Sequence, residues 1–121
     1  MANRPADLEA SVDRFFRAAE ARDFDAFRAG FAEGALIFQN GDPLSLEELV
    51  AFAERGTQSV RYVDVRRVVS GDAVVEQHRA EIVFPNGTPF SSRDLCVVFR
   101  FDDEGRFTRV DEYAPTQGVP R

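Results

Sequence analysis

The strongest constraint on the fold is a change in hydrophobic period near residue 56 of this 121-residue chain. Before it, apolar residues recur at helical spacing; after it, they alternate with polar residues, as in strands with one buried face. Residues 97–114 read VVFRFDDEGRFTRVDEYA and predict two strands joined by a Gly turn. Helices followed by long strands indicate an α+β domain whose curved sheet wraps around helices and leaves a pocket.

The first half of the chain predicts helices rich in Phe. Residues 6–22 place apolar side chains three and four positions apart, which predicts an amphipathic helix. Asp23 is predicted to be the N-cap of a second helix, with Phe31 on its apolar face and Gly34 near its end.

A short strand and a third helix follow. Residues 35–39 predict the strand, and the NGDP sequence at 40–43 predicts a turn. Ser45 with Glu48 three residues later forms a capping box, which predicts a helix that stops at Gly56.

Four long strands complete the domain, giving three helices and a mostly antiparallel sheet. They are predicted over residues 60–70, 73–84, 90–101 and 106–114. In the second of them the even positions are the more apolar, so Glu76 and His78 should face inward. In the third the odd positions should face inward, whereas the two faces of the last strand are nearly equal. A single β-bulge would reverse any of these assignments.

Composition indicates one soluble domain over residues 1–121, with a loosely ordered tail at 115–121. The apolar fraction is 44% and the charged fraction 30%, which is ordinary for a globular protein. No apolar run approaches the ~20 residues of a membrane-spanning helix. The N-terminus lacks the apolar segment of a secretory signal, so we expect a cytoplasmic protein that does not bind membranes.

Charge and metal-ligand content narrow the classes of function. A net charge of −6 disfavours nucleic acid as a partner. Arg61, Arg66 and Arg67 form a basic cluster interrupted by Asp64, which we interpret as a solvated strand face. Cys96 is the only cysteine and His78 the only histidine, and no phosphate-binding loop is present. We therefore expect neither a disulfide nor a metal or other cofactor.

The segments 14–41 (RFFRAAEARDFDAFRAGFAEGALIFQNG) and 96–114 (CVVFRFDDEGRFTRVDEYA) resemble the nuclear transport factor 2-like superfamily, in particular its SnoaL-like polyketide cyclase and ketosteroid isomerase branch. The resemblance implies a cone-shaped α+β barrel, with a pocket for a small apolar molecule between helices and sheet. The residues expected to line that pocket are Phe15, Phe31, Phe38, Gln39, Val97 and Phe99.

Two catalytic patterns of the superfamily are a poor match. Ketosteroid isomerases use an Asp base with a Tyr and a protonated Asp as donors; the equivalent positions here are Gln39, Phe15 and Val97, which cannot perform those roles. Limonene epoxide hydrolases use an Arg flanked by two carboxylates. Arg79, Glu81 and Glu112 superficially resemble that set, but the spacing of Arg79 and Glu81 fits only after a two-residue shift, and both are predicted to face outward.

The remaining candidates are His78 and Glu112, the nearest equivalents of the pocket His or carboxylate of polyketide cyclases. They could transfer a proton in an isomerisation, cyclisation or dehydration. Alternatively, His78 is hydrogen-bonded within the sheet and Glu112 is a rim carboxylate paired with an arginine such as Arg93. The protein would then be a non-catalytic ligand-binding or interaction module.

The resemblance also implies a homodimer formed through the outer face of the sheet. Apolar residues on the alternative strand faces favour the same arrangement. They are Val63, Val65, Val69 and Val98.

Overall fold

The fold is taken from a computed structural model, which describes residues 4–55 and 59–115. The elements are α1 (Pro5–Ala21), α2 (Phe24–Ala29), β1 (Phe31–Gln39), β2 (Asp42–Leu44), α3 (Leu46–Arg55), β3 (Ser59–Ser70), β4 (Ala73–Val83), β5 (Pro89–Phe101) and β6 (Phe107–Tyr113). The four long strands agree with the prediction to within one residue at each end. The predicted stop of α3 at Gly56 and most of the predicted tail lie outside the described residues.

The strands form one six-stranded mixed sheet in the order β2-β1-β6-β5-β4-β3. β1 pairs with β6 in parallel, and every other neighbouring pair is antiparallel. The sheet is curved but unclosed, with β2 and β3 at its edges. The predicted α+β cone is confirmed, as an open sheet around helices.

The second helix is shorter than predicted, and this expectation was wrong. α2 ends at Ala29, and both Phe31 and Gly34 belong to β1. The four-residue spacing of Phe27 and Phe31 mimics a helix, but Phe31 pairs with Phe107 across the parallel strands. Long-range pairing thus overrides the local pattern.

Local capping signals were reliable. The Asp23 side chain accepts a hydrogen bond from the Ala26 amide at 3.1 Å. Ser45 and Glu48 form the reciprocal pair of a capping box, at 3.0 and 3.1 Å. The predicted turn at 40–43 is tighter than expected, because residues 42 and 43 already belong to β2.

The core lies between α1 and the concave face of the sheet. Phe15 is its centre, with ring centroids of five other Phe residues within 6 Å. Those residues are Phe16, Phe27, Phe31, Phe99 and Phe107. This aromatic cluster fills the part of the cone beneath α1 and α2. Among the described residues, no helix is both long and apolar enough to cross a membrane.

A β-bulge in β3 reverses the facing of half that strand. The register with β4 shifts between Val63 and Arg66, where Asp64 adopts a positive φ of 54°. Beyond the bulge, Val69 packs against the core. Its assignment to the outer face was therefore wrong, whereas Val65 is exposed. An extra residue in one strand shifts the alternation of all that follow.

Candidate functional site

A row of polar side chains crosses the inner face of the sheet beside the aromatic cluster. Arg67, Glu76, Val97, Glu112 and Gln39 are successive cross-strand neighbours on β3, β4, β5, β6 and β1. Four of the five are polar, although this face covers the core. We call these five residues the polar row.

Glu76 is the buried anchor of the polar row, with 0% of its surface exposed. Its Oε1 accepts from Arg67 Nε at 2.5 Å, and its Oε2 lies 2.5 Å from His78 Nδ1. Arg67 also pairs with Asp13 of α1 at 2.7 Å. The buried carboxylate thus has a partner on each oxygen, as burial requires.

Arg67 corrects the interpretation of the basic cluster as a solvated strand face. The guanidinium lies on the inner face with its side chain 14% exposed. It follows the bulge of β3, and the strand would have directed it outward without that extra residue. The predicted outer-face role fits the other two arginines: Arg61 pairs with Glu81 at 2.7 Å, and Arg66 is exposed opposite Gln77.

His78 is held between aromatic rings on the inner face, as its position in β4 predicted. Its ring contacts Phe16 and Tyr62 edge to face, at centroid distances of 4.9 and 4.8 Å. The imidazole is buried, and among the described residues its Nε2 is the only buried side-chain nitrogen or oxygen without a hydrogen-bond partner. Such an orphaned polar atom is unfavourable unless a ligand or water satisfies it.

The pairing with Glu76 decides which ring nitrogen carries the proton. A carboxylate only accepts hydrogen bonds, so His78 Nδ1 must donate. In the neutral imidazole, Nε2 then bears the lone pair and is a hydrogen-bond acceptor. His78 thus has the geometry of a base oriented by a carboxylate.

Glu112 lies on the inner face as well, which settles the orientation of the last strand. Val110 is buried in the core, and a register irregularity at the start of β6 separates it from the equally buried Phe107. Gln39 Nε2 donates to Glu112 Oε1 at 3.3 Å. Burial raises the pKa of the Glu112 carboxyl, and the imidazolium form of His78 and the Arg93 guanidinium oppose that rise. His78 and Glu112 therefore share one electrostatic environment.

Tyr62 completes the site and was not singled out from the sequence. Its ring packs on both Phe16 and His78. Burial, followed by the carboxylates of Glu112, Glu20 and Glu76, raises the pKa of its hydroxyl. The phenol therefore stays protonated at neutral pH. The only sequence signal for Tyr62 was the period-two alternation of β3, which places it on the face opposite to Arg61 and Val63.

The residues predicted to line a pocket divide into three groups. Phe15, Phe31 and Phe99 belong to the aromatic cluster. Gln39 and Val97 belong to the polar row and flank Glu112. Phe38 belongs to neither, because it lies on the opposite face of β1 under the Arg109 guanidinium, 4.5 Å from it. The expectation that Phe38 faces the inner site is not met, since alternation directs it away from Ile37 and Gln39.

Arg79 and Glu81 lie on the outer face, as predicted. Arg79 pairs with Asp64 at 3.1 Å and with Asp94 at 3.5 Å. A depression of about 720 Å³ lies beside Arg79 and extends to Tyr113, and His78 also contributes to its lining. Since the His78 side chain is 0% exposed and points to the other face of β4, its imidazole does not open onto this outer depression.

The described residues offer no group of three His, Cys, Asp or Glu side chains placed to hold a metal ion. The chemistry that the inner site can support is acid–base chemistry. The imidazole of His78, which contacts the Tyr62 ring, and the Glu112 carboxyl, whose pKa is raised by burial, lie on the same face of the sheet and are the groups that could exchange protons.

Residues 12–110 match the family model described as a SnoaL-like domain. No curated protein matches the chain in sequence. A candidate polyketide cyclase from Xanthomonas campestris pv. campestris has a similar structure, with 20% identity and a TM-score of 0.73 over 89% of this chain and 90% of that one. An LEH-like epoxide hydrolase from M. tuberculosis is 20% identical, with a TM-score of 0.71 over 91% and 84% of the two chains. A candidate ketosteroid isomerase from Kribbella flavida DSM 17836 is 15% identical, with a TM-score of 0.69 over 96% and 83%. At these identities the structural similarity shows the shared fold alone.

Proposed function

The chain belongs to the SnoaL-like domain family, and we propose that it is a cofactor-independent enzyme that transfers a proton on a small apolar molecule. His78 is the base and Glu112 the partner acid. The observation that carries this proposal is the buried Nε2 of His78, which has no hydrogen-bond partner while Nδ1 is held by Glu76.

The proposed reaction begins when Nε2 takes a proton from carbon or oxygen of the substrate. The resulting imidazolium is stabilised by the Glu76 carboxylate at 2.5 Å. Burial favours the protonated form of Glu112, which can return a proton at a second position of the substrate. Such a 1,2- or 1,3-transfer is common to isomerisation, cyclisation and dehydration.

Substrate selection follows from the surroundings of these groups. Phe16 and Tyr62 pack on the His78 ring, and the apolar core to which Phe16 belongs is extended by Leu44, Leu46 and Leu49 of β2 and α3. A planar apolar molecule with one enolisable carbonyl fits such walls best.

Deuterium uptake tests the proposal without knowledge of the natural product. A panel of small cyclic ketones is incubated with the protein in D2O, and exchange at the α-carbon is followed by mass spectrometry. We expect catalysed exchange by the wild type and a loss of about 100-fold or more in His78→Ala and Glu112→Gln. The matched control is Glu81→Gln, which alters an outer-face carboxylate. Equal exchange by wild type and both site variants would refute the proposal.

A second candidate function is supported by the dense packing of Phe side chains between the helices and the sheet. Phe15 and the five Phe rings packed around it occupy the space beneath α1, which favours a ligand-binding or interaction module without catalysis. Binding of the same ketones, measured by calorimetry, without any deuterium exchange would favour this candidate.

We also propose a homodimer formed through the outer face of the sheet. Val65, Val68 and Tyr113 expose 44%, 66% and 50% of their surface there. Val98 lies on the same face, on the strand between β4 and β6. Light scattering at micromolar concentration should give the mass of two chains, and Val68→Glu should reduce it to one. A monomeric wild type would contradict this proposal.

A further inference from the structure

Arg67 and Glu76 form a chain of contacts behind His78, and neither residue gives or takes a proton of the substrate in the proposed reaction. Glu76 occupies the middle of the chain, with one oxygen on Arg67 and the other on His78. Both the Glu76 and His78 side chains are 0% exposed. Water therefore does not compete for these hydrogen bonds, and the geometry of the three groups is interdependent.

The direction of every bond in this chain is fixed by chemistry. Arg67 can only donate, so the Glu76 oxygen that faces it must accept. Asp13 holds the far side of the guanidinium at 2.7 Å, and Glu9 of the same helix lies 4.0 Å from it. Helix α1 thus fixes Arg67, Arg67 fixes Glu76, and Glu76 requires the proton of His78 to be on Nδ1.

We propose that Arg67 and Glu76 are positioning residues that set the tautomer of His78 and present Nε2 as a hydrogen-bond acceptor. This inference rests on the proposed function for its consequence, since only the Nδ1–H tautomer can act as a base at Nε2. It also predicts the ligand preference of the site. Because Nε2 accepts a hydrogen bond, molecules with an acidic proton should bind better than analogues of the same shape that lack one.

Glu76→Gln tests the proposal with an almost isosteric change. Arg67 still donates and will face the amide oxygen of Gln, so the amide NH2 group must face His78 Nδ1. Nδ1 must then accept, and the proton moves to Nε2. We expect the major tautomer of the neutral ring to reverse from Nδ1–H in the wild type to Nε2–H in the variant.

The tautomer of His78 can be measured by NMR without signal overlap, because His78 is the only histidine of the chain. With ¹⁵N-labelled histidine, a long-range ¹H–¹⁵N spectrum shows one imidazole, and the two nitrogen shifts report its tautomer. A wild-type ring with its proton on Nε2 would overturn the proposal before any variant is made. An unchanged tautomer in Glu76→Gln would overturn it as well.

The double variant Arg67→Met with Glu76→Gln separates positioning from general damage to the fold. Without Arg67, the Gln amide can rotate and accept from Nδ1, so the Nδ1–H tautomer should return. Failure of the double variant to recover this tautomer would show that Arg67 does not set it. Glu81→Gln is the matched control, because Glu81 pairs with an arginine of β3 on the outer face. It should leave the ring spectrum unchanged.

The outcomes of this experiment and of the deuterium test are independent. If the tautomer reverses but the wild type exchanges no deuterium, the positioning role stands and the catalytic proposal fails. If the wild type exchanges deuterium and the tautomer does not reverse, catalysis stands and the positioning role fails. If both hold, Glu76→Gln should lose exchange and the double variant should regain part of it.

Discussion

Two adjacent rows on the inner face of one sheet differ completely in chemistry. The apolar row consists of Val69, Val74, Phe99, Val110 and Ile37 on β3, β4, β5, β6 and β1. The polar row, two residues away on each strand, consists of Arg67, Glu76, Val97, Glu112 and Gln39. The rows are only about 7 Å apart.

The difference shows where the sheet stabilises the fold and where it carries chemistry. Phe99 in the apolar row is 0% exposed and lies against three other Phe rings. Glu76 in the polar row is equally buried, but its burial is unfavourable unless both partners remain. A row that existed only to fill the core would contain no carboxylate. The polar row is therefore the part of the inner face to examine for function.

The largest expected effect comes from the apolar row. Phe99→Ala should lower the free energy of unfolding by about 4 kcal/mol, because it opens a cavity that the surrounding rings cannot fill. Urea denaturation followed by circular dichroism measures the change. Phe52→Ala on α3 is the control, and since Phe52 is 72% exposed it should change stability by less than about 1 kcal/mol. Equal losses in the two variants would remove the distinction between core and surface.

The next largest effect is expected in the polar row. It is measured by comparing two ion pairs that both join β3 to β4. Arg67→Met leaves the Glu76 carboxylate without its buried partner and should cost about 3 kcal/mol. Arg61→Met removes the exposed pair with Glu81 and should cost about 0.5 kcal/mol. The same unfolding experiment applies, and similar losses for both would mean that Glu76 is well solvated.

Glu112→Gln should change the pH dependence of stability. Burial raises the pKa of this carboxyl in the folded state above its ordinary value of 4.5, so the folded protein holds the proton more tightly than the unfolded chain. The contribution of Glu112 to the free energy of unfolding is fully present below pH 4.5 and is lost as the pH rises through the pKa of the folded state. The variant should therefore gain stability relative to wild type across that window and remain more stable at neutral pH. Melting temperatures measured from pH 4 to 8 test this, and a constant difference would contradict it.

The smallest effect concerns Gln39, the end of the polar row. Its amide donates to Glu112 and lowers the pKa of that carboxyl, against the larger effect of burial. Gln39→Leu should raise the pKa of Glu112 further, by removing a hydrogen bond to the charged form. Carboxyl ¹³C shifts of labelled Glu112 give the titration. A lowered value would show that Gln39 does not favour the ionised group.

Several features of the molecule could be predicted from patterns of neighbouring residues in the sequence. Period-two alternation identified the inward direction of Glu76 and His78, and the caps at Asp23 and Ser45 were correct, because each depends on neighbours within a few residues. Phe31 was wrong because its partner, Phe107, is 76 positions away in the chain. Phe38 was misplaced for a related reason, since its aromatic character alone does not say which face of β1 it occupies.

The sequence by itself determined the α+β class, the limits of the four long strands and the presence of one histidine and one glutamate, His78 and Glu76, on inward-facing positions. Periodicity and turn chemistry are local, so these features need no knowledge of distant contacts. Only the tertiary structure decided that Arg67 faces inward, that Tyr62 packs on His78 and that Glu112 lies on the same inner face of the sheet. Those outcomes depend on the bulge of β3, the irregular start of β6 and the pairing of β1 with β6, and each is fixed by packing across the whole sheet.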